Sequence, residues 1–171
     1  MNRNDQGFTL LEIVVVMVLI SIIAATVFTR SITTDQINFS GQVQKIKAHI
    51  RYAQSQAMKR SEIWGIKSDG LNPGSYWMFS EENNSVDPDN TLYQKALPGE
   101  DAVKVSLADL NLTLSGFTIF FDELGKPYSS YDLNYPNTNT PLAGNLTITV
   151  AAAAQSQNLT ITPETGLIRN P

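Results

Sequence analysis

Gly7-Phe8-Thr9-Leu10-Leu11-Glu12 opens a stretch that stays apolar as far as Phe28, and its reading decides the fold. From Ile13 to Phe28 no residue is charged, and Ile, Val, Leu and Ala dominate. Counted from Phe8, the run is about the ~20 residues that a helix needs to cross a hydrocarbon core of roughly 30 Å. One carboxylate, Glu12, lies inside its start. A carboxylate at mid-bilayer costs about 2.5–3.5 kcal/mol on insertion scales, and less nearer the edge. Glu12 therefore either reaches water or meets a cation supplied by a partner.

The residues before the run suggest where that cation comes from. Residues 1–7 are a short polar leader containing Arg3 and Asp5. An ordinary secretory signal places its small-residue cleavage site after the apolar segment. Here the small residue, Gly7, precedes it. Cleavage between Gly7 and Phe8 would remove only the leader and leave the hydrophobic helix on the mature chain. It would also create an α-amine at Phe8, one helical turn from Glu12. Paired between chains, the two charges would fix register, because one member left alone and buried costs roughly 3–5 kcal/mol.

Beyond residue 28 the helical period returns. Phe39, Val43, Ile46, Ile50, Ala53 and Ala57 recur at spacings of four and three, which is one face of a helix. A helix continuous from residue 8 to about residue 60 would be near 80 Å long at 1.5 Å per residue. Thr33, Thr34 and Asp35 are a weak point in it, and Gly41 costs about 1 kcal/mol of helix stability. His49 lies beside the stripe with no Cys or second His to join it, and reads as a solvated or capping histidine.

From residue 63 the chain reads as β. The runs 63–67, 74–80, 102–107, 110–114, 117–121, 146–151 and 159–162 are short and enriched in β-branched and aromatic residues, with turn signals such as Asn72-Pro73-Gly74 and Glu164-Thr165-Gly166 between them. Strict alternation in 145–150 would bury Leu146, Ile148 and Val150 together. A helix followed only by strands predicts an α+β chain, with the second half of a long N-terminal helix packed on an antiparallel sheet or sandwich-like head. Phe39, Val43, Ile46, Ile50, Ala53 and Ala57 are the expected helix-to-head contacts.

Composition narrows the function. The 171 residues suit one anchor helix and one modest head, and the absence of cysteine leaves that head to its apolar core. A formal charge of −4 argues against DNA as a partner. One histidine, no cysteine and no carboxylate, Ser or Lys motif with catalytic spacing predict no enzyme. Residues 81–90 carry Glu81, Glu82, Asp87 and Asp89, a weak calcium candidate because the spacing is not that of an EF-hand. No metal site and no cofactor are expected. Residues 127–141, with Tyr128, Tyr131 and Tyr135, read as a long loop filling solvent or meeting a protein.

The motif Gly7-Phe8-Thr9-Leu10-Leu11-Glu12 with its apolar run resembles the prepilin signal of type IV pilins and type II secretion pseudopilins. The segment 50–60, rich in Arg and Ala, is similar to the helix end of GspH/FimT-type minor pseudopilins and minor pilins. So are the Trp77-containing strand, the segment 119–127 with its Gly turn, and the closing stretch 160–169. The resemblance implies cleavage between Gly7 and Phe8 by a prepilin peptidase/methyltransferase, N-methylation of Phe8, and subunit docking through Glu12 and Phe8. It implies four regions: a leader at 1–7, a transmembrane and filament-core helix at 8–28, an amphipathic second half at 29–60, and a β-rich head at 61–171. The implied setting is the bacterial inner membrane, crossed once, with the head in the periplasm and other pilin or pseudopilin subunits as partners. The expected role is a minor pseudopilin that helps assemble or cap a type II secretion pseudopilus. A minor type IV pilin, in pilus biogenesis, adhesion or DNA uptake, is the alternative. Major pilins often carry a proline near the position of Thr29 and a C-terminal disulfide loop; this chain has neither, so no kink is expected there.

Overall fold

The computed structural model describes the backbone of residues 9–152 and 155–170, and their side chains except at 26–36. The described residues form one long helix, α1 (Leu10–Arg60), and eleven strands. The backbone stays helical through residues 33–35. Two compact units divide the chain, Met1–Ser40 and Gly41–Pro171, and the boundary between them falls within the helix.

In the first unit, Thr9 starts the helix. Its Oγ1 and its carbonyl oxygen both accept the backbone N–H of Glu12, at 3.3 and 3.0 Å. Thr-x-x-Glu at a helix start is the capping-box pattern, which satisfies amide groups that have no intrahelical partner. The apolar side chains that follow are exposed on all sides, Leu10 at 82 % and Ile23 at 61 % among them. Among the described residues, no helix is long and apolar enough to cross a membrane. The expected span of 8–28 has both its ends, Phe8 and residues 26–28, outside the side chains described.

The second unit begins on the same helix. Val43, Ile46, Ile50, Ala53 and Ala57 are buried, each at most 1 % exposed, while Phe39, in the first unit, is half-buried. The helix ends where Ser61 takes a left-handed backbone (φ 54°) and its N–H closes on the carbonyl of Ala57. Lys59 and Arg60 occupy the last turn, where a positive charge suits the helix dipole.

Two antiparallel sheets complete this unit. The larger contains β1 (Trp64–Ser68), β2 (Ser75–Ser80), β3 (Gln94–Lys95), β4 (Lys104–Ser106), β6 (Phe117–Phe121), β7 (Pro127–Ser130) and β8 (Thr140–Pro141). Its order is β3-β2-β1-β6-β7-β8, with β4 following β3 along the same edge of β2. The smaller has the order β11-β10-β9-β5, from β5 (Thr113–Leu114), β9 (Leu146–Ala152), β10 (Gln155–Ile161) and β11 (Ile168–Arg169).

Register explains why the central strands are buried on both faces. Ile66 pairs with Met78 and Ile119, and Trp64 with Ser80 and Phe121, so these side chains share one face. Tyr76 is on that face and reaches His49 of the helix. The opposite face carries Phe79 and Phe120, whose rings meet edge to face at 5.1 Å over Gly65, the residue paired with both. A Cβ at Gly65 would overlap the Phe79 ring and the carbonyl oxygen of Ile119. Ile63, Val86, Tyr128, Tyr131 and Leu133 complete this outer cluster. In the smaller sheet Ile148, Val150, Leu159 and Ile161 are fully buried, whereas Leu146, expected with them, is half-buried.

Three sequence expectations need correction. The long loop at 127–141 holds β7 and β8, joined through a short 3-10 turn at Pro136–Thr138. Each contains a proline, which speaks against a strand in the sequence but is tolerated at the first residue of a strand, as at Pro127, and on an edge strand, as at Pro141 of β8. The strand at 110–114 shrinks to Thr113–Leu114, because Asn111 adopts φ 51° and ends a turn. The run at 159–162 begins earlier, at Gln155, where Gln and Ser hide the alternation.

Candidate functional site: an assembly surface

Gly7 and Phe8 lie outside the described residues. Glu12 is described: it is exposed in the first turn of α1, and among the described residues no cation stands within ion-pair distance of its carboxylate. Thr9 engages only the backbone of Glu12, which leaves the carboxylate charge available. Below it, Val14, Met17, Val18, Ser21, Ile22 and Ala25 line an open apolar groove along the helix. A bare helix with apolar side chains all round requires lipid or other helices around it. One acid at its head is the feature that gives such a contact direction.

At the other end of the helix, side chains tie it to the head. Gln54 Nε2 donates to the carbonyl oxygens of Gly125 (2.9 Å) and Thr165 (2.8 Å), holding two turns to one helix position. These turns join β6 to β7 and β10 to β11, and Lys126 and Glu164 link them again at 3.4 Å. Gly166 has φ 62°, and a Cβ there would strike Gln54 Nε2, so the turn requires glycine on two grounds. Asp122 folds the first turn by accepting the N–H groups of Leu124 and Lys126 through Oδ1. Asp122-Glu123 is thus a turn and not a pair of acids facing a substrate.

His49 is where the sequence reading fails. It is 4 % exposed, not solvated. Its Nε2 lies 3.2 Å from the carbonyl oxygen of Pro98 and its Nδ1 2.9 Å from the Tyr76 hydroxyl. A carbonyl only accepts, so Nε2 carries the proton and Nδ1 accepts from Tyr76. Burial dominates and pulls the imidazole below its usual range, against the opposing effects of the Pro98 carbonyl and Glu100. Burial also raises the Tyr76 hydroxyl, with Glu100 adding to the effect. The signal was present in the spacing: His49 stands three residues after Ile46 and four before Ala53, inside the stripe.

The acidic stretch 81–90 is occupied by other work. Asp89 takes Lys67 Nζ on both oxygens at 2.6 and 2.7 Å, Glu82 pairs with Lys95 at 3.0 Å, and Asp87 caps the N–H of Asp89. Glu81 accepts the N–H of Ile63. Among the described residues, no group of three or more His, Asp or Glu is placed to hold a metal ion. Tyr128 and Tyr131 meet edge to face at 5.0 Å, while Tyr135 is 67 % exposed.

The helix thus carries one exposed acid at its start and a buried stripe at its end. Known families match both parts of the chain. Residues 2–28 match the prokaryotic N-terminal methylation motif. Residues 42–166 match the family described as type II transport protein GspH. The chain belongs to the GspH family. Neither the curated proteins nor the solved structures give a significant match. The GspH match begins at the buried stripe, one residue before Val43, and runs past Gly125 and Thr165 to Gly166, so it spans all three points of the Gln54 tie. The chain thus carries a prepilin methylation signal joined to a GspH head, and its function is that of type II secretion or of a type IV pilin-like protein. Members of the GspH family are structural subunits, assembled with other pilins after processing by prepilin peptidase, and pilin-like proteins are anchored by the N-terminal helix.

Proposed function

We propose that this GspH-family chain is a minor pseudopilin, which helps to assemble or cap the pseudopilus of a type II secretion system. The observation that carries the reading is the joint occurrence, in one chain, of the methylation motif and a head matching a type II transport protein. The second match favours secretion over pilus formation, since the first is common to both.

In this reading the leader 1–7 is removed between Gly7 and Phe8, Phe8 is N-methylated, and residues 8–28 anchor the chain in the inner membrane with the head in the periplasm. The exposed apolar helix then exchanges lipid for neighbouring helices when the subunit enters the filament. Glu12 meets the Phe8 amine of an adjacent subunit, and the pair fixes register because neither charge is tolerated alone among apolar side chains. No chemical step is required of the head, which supplies the shape that neighbours recognise. The residues of the helix stripe, Val43 to Ala57, hold that shape on the helix and are not proposed to contact neighbours.

Deletion of the gene and complementation is the test. Loss of secreted proteins with unaffected surface pili, restored by the intact chain, is the expected result. Loss of pili or of DNA uptake with normal secretion would transfer the protein to the type IV pilus.

A further inference from the structure

Among the described residues, the sheet edges are blunted with one exception. β3 and β4 carry Lys95 and Lys104, β8 carries Pro141, β11 carries Arg169, and β5 is two residues long. Charge, proline and shortness are the devices that keep a sheet edge from pairing with another chain. β10 is seven residues long, yet β11 pairs only with its Thr160 and Ile161. The stretch Gln155-Ser156-Gln157-Asn158-Leu159 thus has β9 on one side and, among the described residues, no strand on the other. It holds no charge, no proline and no break in its register with β9.

The alternation of the ladder decides which groups face the open side. The N–H of Thr162 donates to the carbonyl oxygen of Leu167 at the start of the β10–β11 connection, so even-numbered residues aim their backbone towards β11. At the far edge of β9, Ser115 N–H donates to the carbonyl oxygen of Thr149, which stands opposite Asn158. Opposed residues of an antiparallel pair turn their backbone groups both inward or both outward, which gives the same result. The N–H and C=O of Ser156 and Asn158 therefore point to the open side, and both residues are exposed. From Leu133 to Pro163 no residue is charged, so a charge brought in by a partner would find no counter-charge on β9 or β10.

We propose that the open edge of β10 is a docking edge, which takes an extended, uncharged strand bearing Ser, Thr, Asn or Gln from a neighbouring filament subunit. Backbone donors and acceptors at every second residue select an extended partner, and the neutral polar side chains beside them select its composition. The choice of a neighbouring subunit rests on the filament role proposed above. The two outward residues offer two donors and two acceptors, and hydrogen bonds exchanged for those of water add little net stability. Free heads are not held together by so short an edge. It acts once the helices have brought subunits side by side, where the second contact is effectively intramolecular.

The chain has no cysteine, so a thiol introduced at the edge is unique. The full chain with Ser156→Cys, labelled in its native membrane with a maleimide photocrosslinker, should on illumination give a product with a different subunit that carries the methylation motif, identified by mass spectrometry. Adding Asn158→Pro should remove that product. Proline at this position deletes an outward N–H and spares the β9 ladder, so the melting temperature should fall less than in Gln157→Pro, which deletes a ladder donor opposite Val150. Ser156→Lys, which keeps the backbone and adds a charge, should likewise remove the product from a label at Asn158→Cys. No product, a product only with a second copy of this chain or with a protein lacking the motif, a product that survives either variant, or Asn158→Pro melting as low as Gln157→Pro would each overturn the docking edge. A product with such a subunit supports it whether deletion of the gene stops secretion or pili, so failure of the secretion assignment is read separately.

Discussion

Glu12 carries two separable tasks, and the difference between them can be measured. Its backbone N–H is capped by Thr9, while its carboxylate has no cation among the described residues. Glutamine serves a capping box as well as glutamate does. Glu12→Gln therefore keeps the helix start and removes only the charge. Processing and membrane insertion should persist while assembly falls, which crosslinking between cysteines introduced near positions 8 and 12 of different subunits would reveal. Crosslinking and secretion at the level of the natural chain would remove the pairing argument. At Gly65 the expectation concerns stability alone. Gly65→Ala pushes a methyl against the Phe79 ring and the Ile119 carbonyl, and backbone on one side cannot yield. A loss of about 1–3 kcal/mol or more is expected from denaturant unfolding, as for other overpacked cores.

Among elements, the C-terminal half of α1 is the organiser of the head. Ile46 and Ile50 are each 1 % exposed. Ile50→Asp buries a carboxylate without a partner, and should destabilise the head by several kcal/mol or prevent its folding. Thermal melting followed by circular dichroism checks this. An unchanged melting temperature would mean that the stripe is not held against the sheet. Gln54→Ala removes both donors that tie the two turns to the helix. Two lost hydrogen bonds, one part-buried and one exposed, predict about 1–3 kcal/mol of lost stability, with hydrogen exchange rising first at residues 122–126 and 162–167.

The stripe was legible because burial on one helix face writes a spacing of three and four into the sequence, and His49 obeyed it too. The central strands were legible for a related reason: β2 and β6 are nearly continuous runs of apolar and aromatic residues, as suits strands covered on both faces. The short edge strands were not. Gln94–Lys95 and Thr140–Pro141 owe their conformation to the strand beside them, and two residues cannot display a period. The Gln54 tie was hidden for another reason, since its partners are 71 and 111 residues away and are backbone oxygens, which no side-chain pattern marks.

For the whole molecule, the division at Ser40 and Gly41 predicts that the head can stand alone. A chain beginning near Thr33 loses the exposed apolar segment and keeps the buried stripe, so it should be a soluble, folded α+β monomer without disulfide or added metal. Aggregation of this fragment, or melting without a cooperative transition, would show that the head depends on the first unit. The acidic balance of the chain gives a second expectation at this scale. With formal charge −4 it gains little from counterion release, and duplex DNA at physiological salt should not shift its mobility.

The central claim is that the chain is a processed filament subunit, and the mature N-terminus decides it. Intact-mass measurement and N-terminal sequencing of protein extracted from the membrane should give a chain that starts at Phe8 with a methylated amine; a chain that starts at Met1, or after Ala24 or Ala25, would contradict it.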